Sequence, residues 1–177
     1  YCTLPDVPAS LGQHVRTNSE AVVGILAQDA QTDISQGTTI STHFHPDAHT
    51  HITQNRFPPS YGFMRMYMGP LVDGARPWRR GAQVLWAFVA RPVRSTRSFF
   101  ARHWYRRISV LTVMQHADNA MAFGYGRTLL RGGRWGLRSQ VPGGARPPSY
   151  LPHANAAARH FAQACGGQAM NVLFESL

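Results

Sequence analysis

Four histidines, His43, His45, His49 and His51, fall in the stretch Gly37 to Phe57, GTTISTHFHPDAHTHITQNRF. On two facing strands, i, i+2 pairs of imidazoles can converge on one ion, and imidazole suits zinc, copper or nickel. The spacing permits such a site without specifying one. Ligating histidines need carboxylate or carbonyl partners behind them, and only Asp47 is near in sequence. We therefore assign no metal. Other chemistries have less support still. The chain has no Gly-x-Ser-x-Gly, no P-loop and no Gly-x-Gly-x-x-Gly, and Gly124-Tyr125-Gly126 lacks the third glycine. Cys2 and Cys165 are too few and too far apart to declare a disulfide framework or a metal knuckle.

Positioning the histidines requires a hairpin. Side chains alternate along a strand, so Thr38, Ile40, Thr42 and Phe44 share one face while Thr39, Ser41, His43 and His45 share the other. On the return strand Thr50, Ile52 and Gln54 oppose His49, His51 and Thr53. Pro46 and Asp47 favour a reversal at His45-Pro46-Asp47-Ala48. So polar a face in an otherwise apolar chain predicts a lined cavity.

The flanking elements follow from the same patterns. Thr17 and Glu20 have capping-box spacing, but the run Val22, Val23, Ile25, Leu26 favours a strand. Pro58 to Gly62 breaks the sheet. Met64, Met66, Tyr67 and Met68 then form a flexible apolar patch, either core filler or the wall of an apolar pocket. Pro77 opens a helix with Trp78, Ala82, Leu85, Trp86 and Val89 on an apolar face and Arg79, Arg80 and Gln83 opposite. Pro92 ends or kinks it, and a second helix is predicted from Val93 to Tyr105. Ile108 to His116 reads as a central strand buried on both faces. Asp118-Asn119 turns the chain into a glycine-broken β-meander carrying Met121, Phe123, Tyr125, Leu129, Leu130, Trp135 and Leu137. Ala154 to Cys165 is helical and capped by Gly166-Gly167, and Val172 to Leu177 adds no closing element. The expected fold is α+β, a mixed and mainly antiparallel sheet with helices packed on one side, forming a single unit over residues 1–177 that is incomplete at both ends.

The chain has 177 residues, 18 of them basic and all arginine, and a net charge of +10. That balance alone speaks to solubility and non-specific attraction, and together with abundant Ala, Gly and Pro it argues against nucleic acid as the partner. The longest apolar run, Val84 to Ala90, is far shorter than the roughly 20 residues of a spanning helix. Nine arginines between Arg76 and Arg107 make an aromatic-studded basic arm. It is either a solvated face whose stems cover apolar neighbours or a surface for a membrane or a phosphate-bearing partner.

In order along the chain stand Leu11-Gly12, Val15-Arg16-Thr17-Asn18-Ser19-Glu20-Ala21, His45-Pro46-Asp47 with Thr50-His51-Ile52, and Val113-Met114-Gln115 with Asp118-Asn119. Ser149-Tyr150-Leu151-Pro152 follows, with Ala154-Asn155 and Ala157-Ala158-Arg159. In that order they resemble the middle of a glucose-methanol-choline oxidoreductase of the cholesterol oxidase-like branch. The resemblance implies a substrate-binding domain fragment without its FAD-binding domain, whose partners are that missing portion of the enzyme and a bulky, apolar alcohol. The hydroxyl would be oxidised by hydride transfer to FAD from the carbon that bears it. The resemblance further implies that Thr17, Asn18 and Ser19 face the cofactor. Pocket walls would come from His51 and Thr53, from Met64 and Met66, and from Met114 and Asn119. The family's glycine-rich FAD motif and its catalytic C-terminal segment have no counterpart here, so no catalytic residue is implied. Where the branch carries a pocket glutamate after the apolar strand residue, this chain has Thr53 between Ile52 and Gln54, which widens the implied substrate beyond sterols. A free-standing module, using the histidine hairpin for a metal ion or the arginine arm for an anionic surface, is the alternative.

Overall fold

A computed structural model describes residues 8–16, 18–117, 119–128, 132–141 and 148–176. It divides into two compact units, one of Tyr1–Ser19 with His116–Pro147 and one of Glu20–Gln115 with Pro148–Leu177.

The smaller unit holds a three-stranded sheet ordered β1 (Val15–Arg16), β7 (Ala120–Arg127), β8 (Trp135–Gln140), antiparallel throughout. The expected meander is present in β7 and β8, while Leu129 and Leu130 lie outside the described residues. Gly132 and Gly133, at φ 61° and 79°, take left-handed conformations between these strands that a side chain would strain.

The larger unit is a six-stranded sheet. Its order is β3 (Ile40–Asp47), β4 (Thr50–Asn55), β6 (Ile108–Gln115), β2 (Ser19–Leu26), β9 (Gln168–Val172) and β5 (Met68–Pro70). The β3–β4, β4–β6, β2–β9 and β5–β9 pairs are antiparallel. The α+β expectation holds, and β6 is interior as its unbroken apolar pattern required. Leu111 and Val113 point from it into one cluster, with Val23, Ile25 and Ile52 beneath helix α4 (Pro152–Ala164). Ile108 and Val110 point into a second cluster, with Leu26, Met68, Trp104 and Met170. Helix α4 thus lies over the first cluster, and Trp104 brings a further helical turn into the second. A strand apolar on both sides can be dried only from both sides.

Three expectations change. The second helix is two pieces, α2 (Pro92–Phe100) and α3 (Trp104–Arg107), because His103 adopts a left-handed conformation at φ 48°. The chain just beyond α4 adds a strand that the sequence pattern did not predict, while Leu173–Ser176 is a 3-10 helix. β9 lies between β2 and β5, and Asn171 within it accepts from the Val72 N–H at 2.9 Å. Helix α1 (Pro77–Ala90) forms where expected but presents its other side to the fold. Arg80 and Val84 are buried, whereas Trp78, Leu85, Trp86 and Val89 are exposed. Arg80 is held inside by donating to the Gly74 and Glu175 carbonyls, at 2.6 and 3.3 Å.

Candidate functional site

The hairpin forms with the face assignment its alternation demands. Phe44 pairs with Ile52 and His43 with Thr53. Ile52 is fully buried in the cluster beneath α4, and Phe44 stacks on Phe161 of that helix with centroids 5.8 Å apart. The reversal lies one step later than the proline predicted. Asp47 pairs with Thr50 and its Oδ1 accepts from the His49 N–H at 2.7 Å, so Ala48-His49 is the turn and Asp47 its fastening. That interaction is the first cause holding the Asp47 carboxyl below its ordinary range.

Three imidazoles gather on the other face. His43 lies 4.6 Å from His45 and 6.2 Å from His51 between ring centroids, with His45 and His51 6.0 Å apart. His49, at the turn, stays outside the group. Across β4 the row continues, because His51 is directly opposite Met114 and Thr53 opposite Thr112 on β6. Asn55 Nδ2 donates to Thr112 Oγ1 at 2.6 Å and fixes the polar end of the row. The structure thus joins His51, Thr53 and Met114 on one sheet face. The three cavities described for this chain are lined by other residues. β3 is the edge strand, nothing described packs over its outer face, and His43 and His45 are exposed there while His51, Thr53 and Met114 are half-buried. Nor is any set of three His, Cys, Asp or Glu among the described residues arranged to hold a metal ion.

The remaining expected positions lie elsewhere. Met64, on a 3-10 helix at Pro59–Tyr67, packs against the cluster around Leu26 and Trp104, and Met66 on the same helix is 60% exposed. Ser19 and Asn119 meet each other in the smaller unit, Asn119 Nδ2 donating to Ser19 Oγ at 2.8 Å. Asn18 is exposed, and Thr17 lies outside the described residues.

Reading motifs from the sequence missed a polar cleft. A cavity of about 320 Å³ is lined by Glu20, Arg80, Tyr150, Asn155, Asn171 and Glu175, among others. Two of these residues are tied to Asp73, whose Oδ1 accepts from Tyr150 Oη at 2.7 Å and from Asn155 Nδ2 at 2.9 Å, and Arg159 pairs with Oδ2. Partial burial works against the charged Asp73 carboxylate, yet these donors outweigh it and hold its pKa below the ordinary value. Burial and the bond to Asp73 push the Tyr150 phenol up to about 12. Glu175, its carboxylate accepting from the Val22 N–H at 2.8 Å, is raised above its ordinary value by burial. The available signal was Ser149-Tyr150-Leu151-Pro152 with Ala154-Asn155, which carried the family resemblance but no assigned role.

The ordered motifs and the similarity to curated relatives are consistent with a segment of a protein of the glucose-methanol-choline type, in its cholesterol oxidase-like branch. The curated relatives are cholesterol oxidases. The chain is 31% identical to that of Mycobacterium tuberculosis over 94% of its own length and 29% of the relative's. It is 28% identical to that of Acinetobacter baumannii over 99% of its own length and 31% of the relative's. The chain thus spans under a third of the length of the relatives it matches. No family model matches it, and no solved structure does. The alternative of a free-standing metal or anion module finds no support in these relationships.

Proposed function

We propose that this chain is the substrate-binding portion of an FAD-dependent oxidoreductase that oxidises the hydroxyl of a bulky, sterol-like alcohol. The similarity to cholesterol oxidases over nearly the whole chain carries this reading. The row His51, Thr53, Thr112 and Met114 supports it, because an apolar body with one hydroxyl needs a mostly apolar wall with a few polar groups to orient it.

The described residues do not form a dinucleotide cradle. Helices α1, α2 and α4 each begin with proline behind Arg76, Arg91 or Leu151, and none follows a glycine-rich turn that would bring backbone N–H groups to a pyrophosphate. Ser19 Oγ is already engaged by Asn119. In this reading the flavin-binding portion lies elsewhere in a longer enzyme, with Thr17, Asn18 and Ser19 facing the cofactor it carries. The part left to this chain is substrate binding and orientation. His51, Thr53 and Met114 wall one side of the pocket, and Met64 and Met66 contribute to its remainder, while Asn119 is assigned to substrate binding within the smaller unit.

The test is the protein at its natural length, purified and examined for a bound flavin spectrum that bleaches when cholesterol or another bulky alcohol is added without oxygen. A natural-length protein that neither contains nor takes up flavin would overturn the proposal.

A further inference from the structure

Five elements of the larger unit meet around a cavity of about 520 Å³. β5, the end of α1, the start of α2, the last turns of α4 and the start of β9 each contribute to its wall. Arg91, Arg94 and Arg159 line it together with Gln163, and none of the described lining residues is Asp or Glu. Leu71, Ala87 and Ala162 give the same space an apolar side. Ligand pockets run from roughly 300 to 1,000 Å³, so the size suits a small molecule.

The protein around this cavity leaves its charge unmatched. Arg94 stands in the first turn of α2 and Arg91 at its N-cap, where the helix dipole disfavours a cation. That turn has no acidic residue and no side-chain cap. Among the described residues neither guanidinium makes a hydrogen bond or an ion pair. Arg159 alone is compensated, by Asp73, which does not line the cavity. Guanidinium groups gathered in this way repel one another until an anion enters between them.

Buried polar groups fix the backbone that carries these arginines, as a preformed site requires. Gln168, 8% exposed, donates from Nε2 to the Arg94 carbonyl at 2.9 Å and ties α2 to β9. Ser95, 5% exposed, donates from Oγ to the Ala87 carbonyl at 2.8 Å and sets the corner between α1 and α2. On the opposite wall Asp73, itself held by Tyr150 and Asn155, steadies the Arg159 side chain. Gly167 closes the turn from α4 to β9 with its N–H on the Ala162 carbonyl at 2.7 Å, and a Cβ there would stand 2.7 Å from the Leu26 carbonyl oxygen.

We propose that this cavity binds a small organic phosphate. Arg91 and Arg94 donate to the phosphate oxygens across from Arg159, and the organic body lies against Leu71, Ala87 and Ala162. The planar guanidinium fork matches phosphate oxygens two at a time, and a phosphate dianion offsets more of the gathered charge than a carboxylate does. The inference does not rest on the redox reading, since binding is measured without turnover.

The experiment is calorimetric titration of the natural-length protein, as purified, with phenyl phosphate at fixed ionic strength. One saturable site is expected. Arg91→Gln/Arg94→Gln should weaken it by about tenfold or more, because charged hydrogen bonds make up much of a small ligand's affinity. Arg102→Gln, exposed and outside the cavity, should bind as wild type does. All three side chains are exposed, so these variants keep the fold, as circular dichroism will verify. No binding, wild-type affinity in the double variant, or an equal loss in Arg102→Gln would overturn the proposal. Phenylglyoxal labelling, read by peptide mass, reports access to the cavity. Arg91 and Arg94 are expected to label in the protein alone and to be protected by phenyl phosphate, whereas no labelling in the protein alone means that another part of the enzyme fills the cavity and the proposal fails.

Discussion

Asn119 Nδ2 donates to Ser19 Oγ at 2.8 Å, joining two buried residues 100 positions apart. The resemblance implied separate roles for them, Ser19 toward the cofactor and Asn119 toward the substrate, but in this structure each is the other's partner. Removing one member leaves a buried polar group without its bond, so Asn119→Ala is expected to lower stability by about 1–3 kcal/mol. In denaturant titrations of Ser19→Ala, Asn119→Ala and the double variant, the coupling should be about 1 kcal/mol. A coupling near zero would show that the pair is not made in solution.

Arg80→Ala is expected to destabilise the chain more than Trp86→Ala, the reverse of what the amphipathic pattern of α1 predicts. Arg80 is 3% exposed and donates to two backbone carbonyls, whereas Trp86 is 69% exposed. Losing charged hydrogen bonds costs about 1.5–3 kcal/mol, and a surface truncation is usually within about 0.5 kcal/mol. Ile52→Ala, at a fully buried site, should cost about 2–5 kcal/mol and serves as the core reference. Denaturant midpoints ranking Trp86→Ala beside Ile52→Ala would refute this orientation of the helix.

What could be read from the sequence divides along physical lines. β6, α4 and the histidine hairpin were legible because each carries its full instruction locally, as an unbroken apolar run, a 3.6-residue stripe ended by Gly166, and alternation about a turn. β5 and β9 were not, because Met68–Pro70 and Gln168–Val172 become strands through neighbours distant in sequence. The stripe on α1 was legible as a stripe, but periodicity does not say which medium it faces. In the site, the convergence of His43, His45 and His51 followed from strand parity. The cleft did not, since Asp73 and Tyr150 are 77 residues apart and only tertiary packing brings them together.

Two carboxyls, Glu175 lining this cleft and Asp73 bonded to its Tyr150 and Asn155, should bend the pH dependence of stability in opposite directions. Asp73 has a lowered pKa in the folded chain, so its contribution is present above the unfolded value of about 3.8 and is lost as pH falls through the lower folded value. Glu175 has a raised pKa, so the unfolded chain releases its proton first. Stability therefore declines as pH rises from about 4.5 toward the folded value. Urea midpoints measured across this range should show a shallower acid-side loss in Asp73→Asn and a smaller decline above pH 4.5 in Glu175→Gln, whose amide oxygen can still accept from Val22. Profiles parallel to wild type would remove both carboxyls from the account.

If the sheet face walls a pocket for a bulky alcohol, its half-buried members should matter and its exposed edge should not. Met114 stands directly opposite His51 and supplies flexible apolar surface, so Met114→Ala removes wall without removing a hydrogen-bonding group. One missing contact in an apolar pocket is worth about 1–3 kcal/mol, which corresponds to a fall in kcat/KM of roughly tenfold or more. The loss should fall mainly on KM, because such binding acts on ground state and transition state alike. His43→Ala, at the exposed edge strand, is expected to leave both constants near wild type. Steady-state oxidation of a bulky alcohol by the natural-length protein decides the matter. A Met114→Ala variant with unchanged KM would move the pocket off this face, whereas an effect on kcat alone would place Met114 nearer the reacting atoms than a wall residue should be.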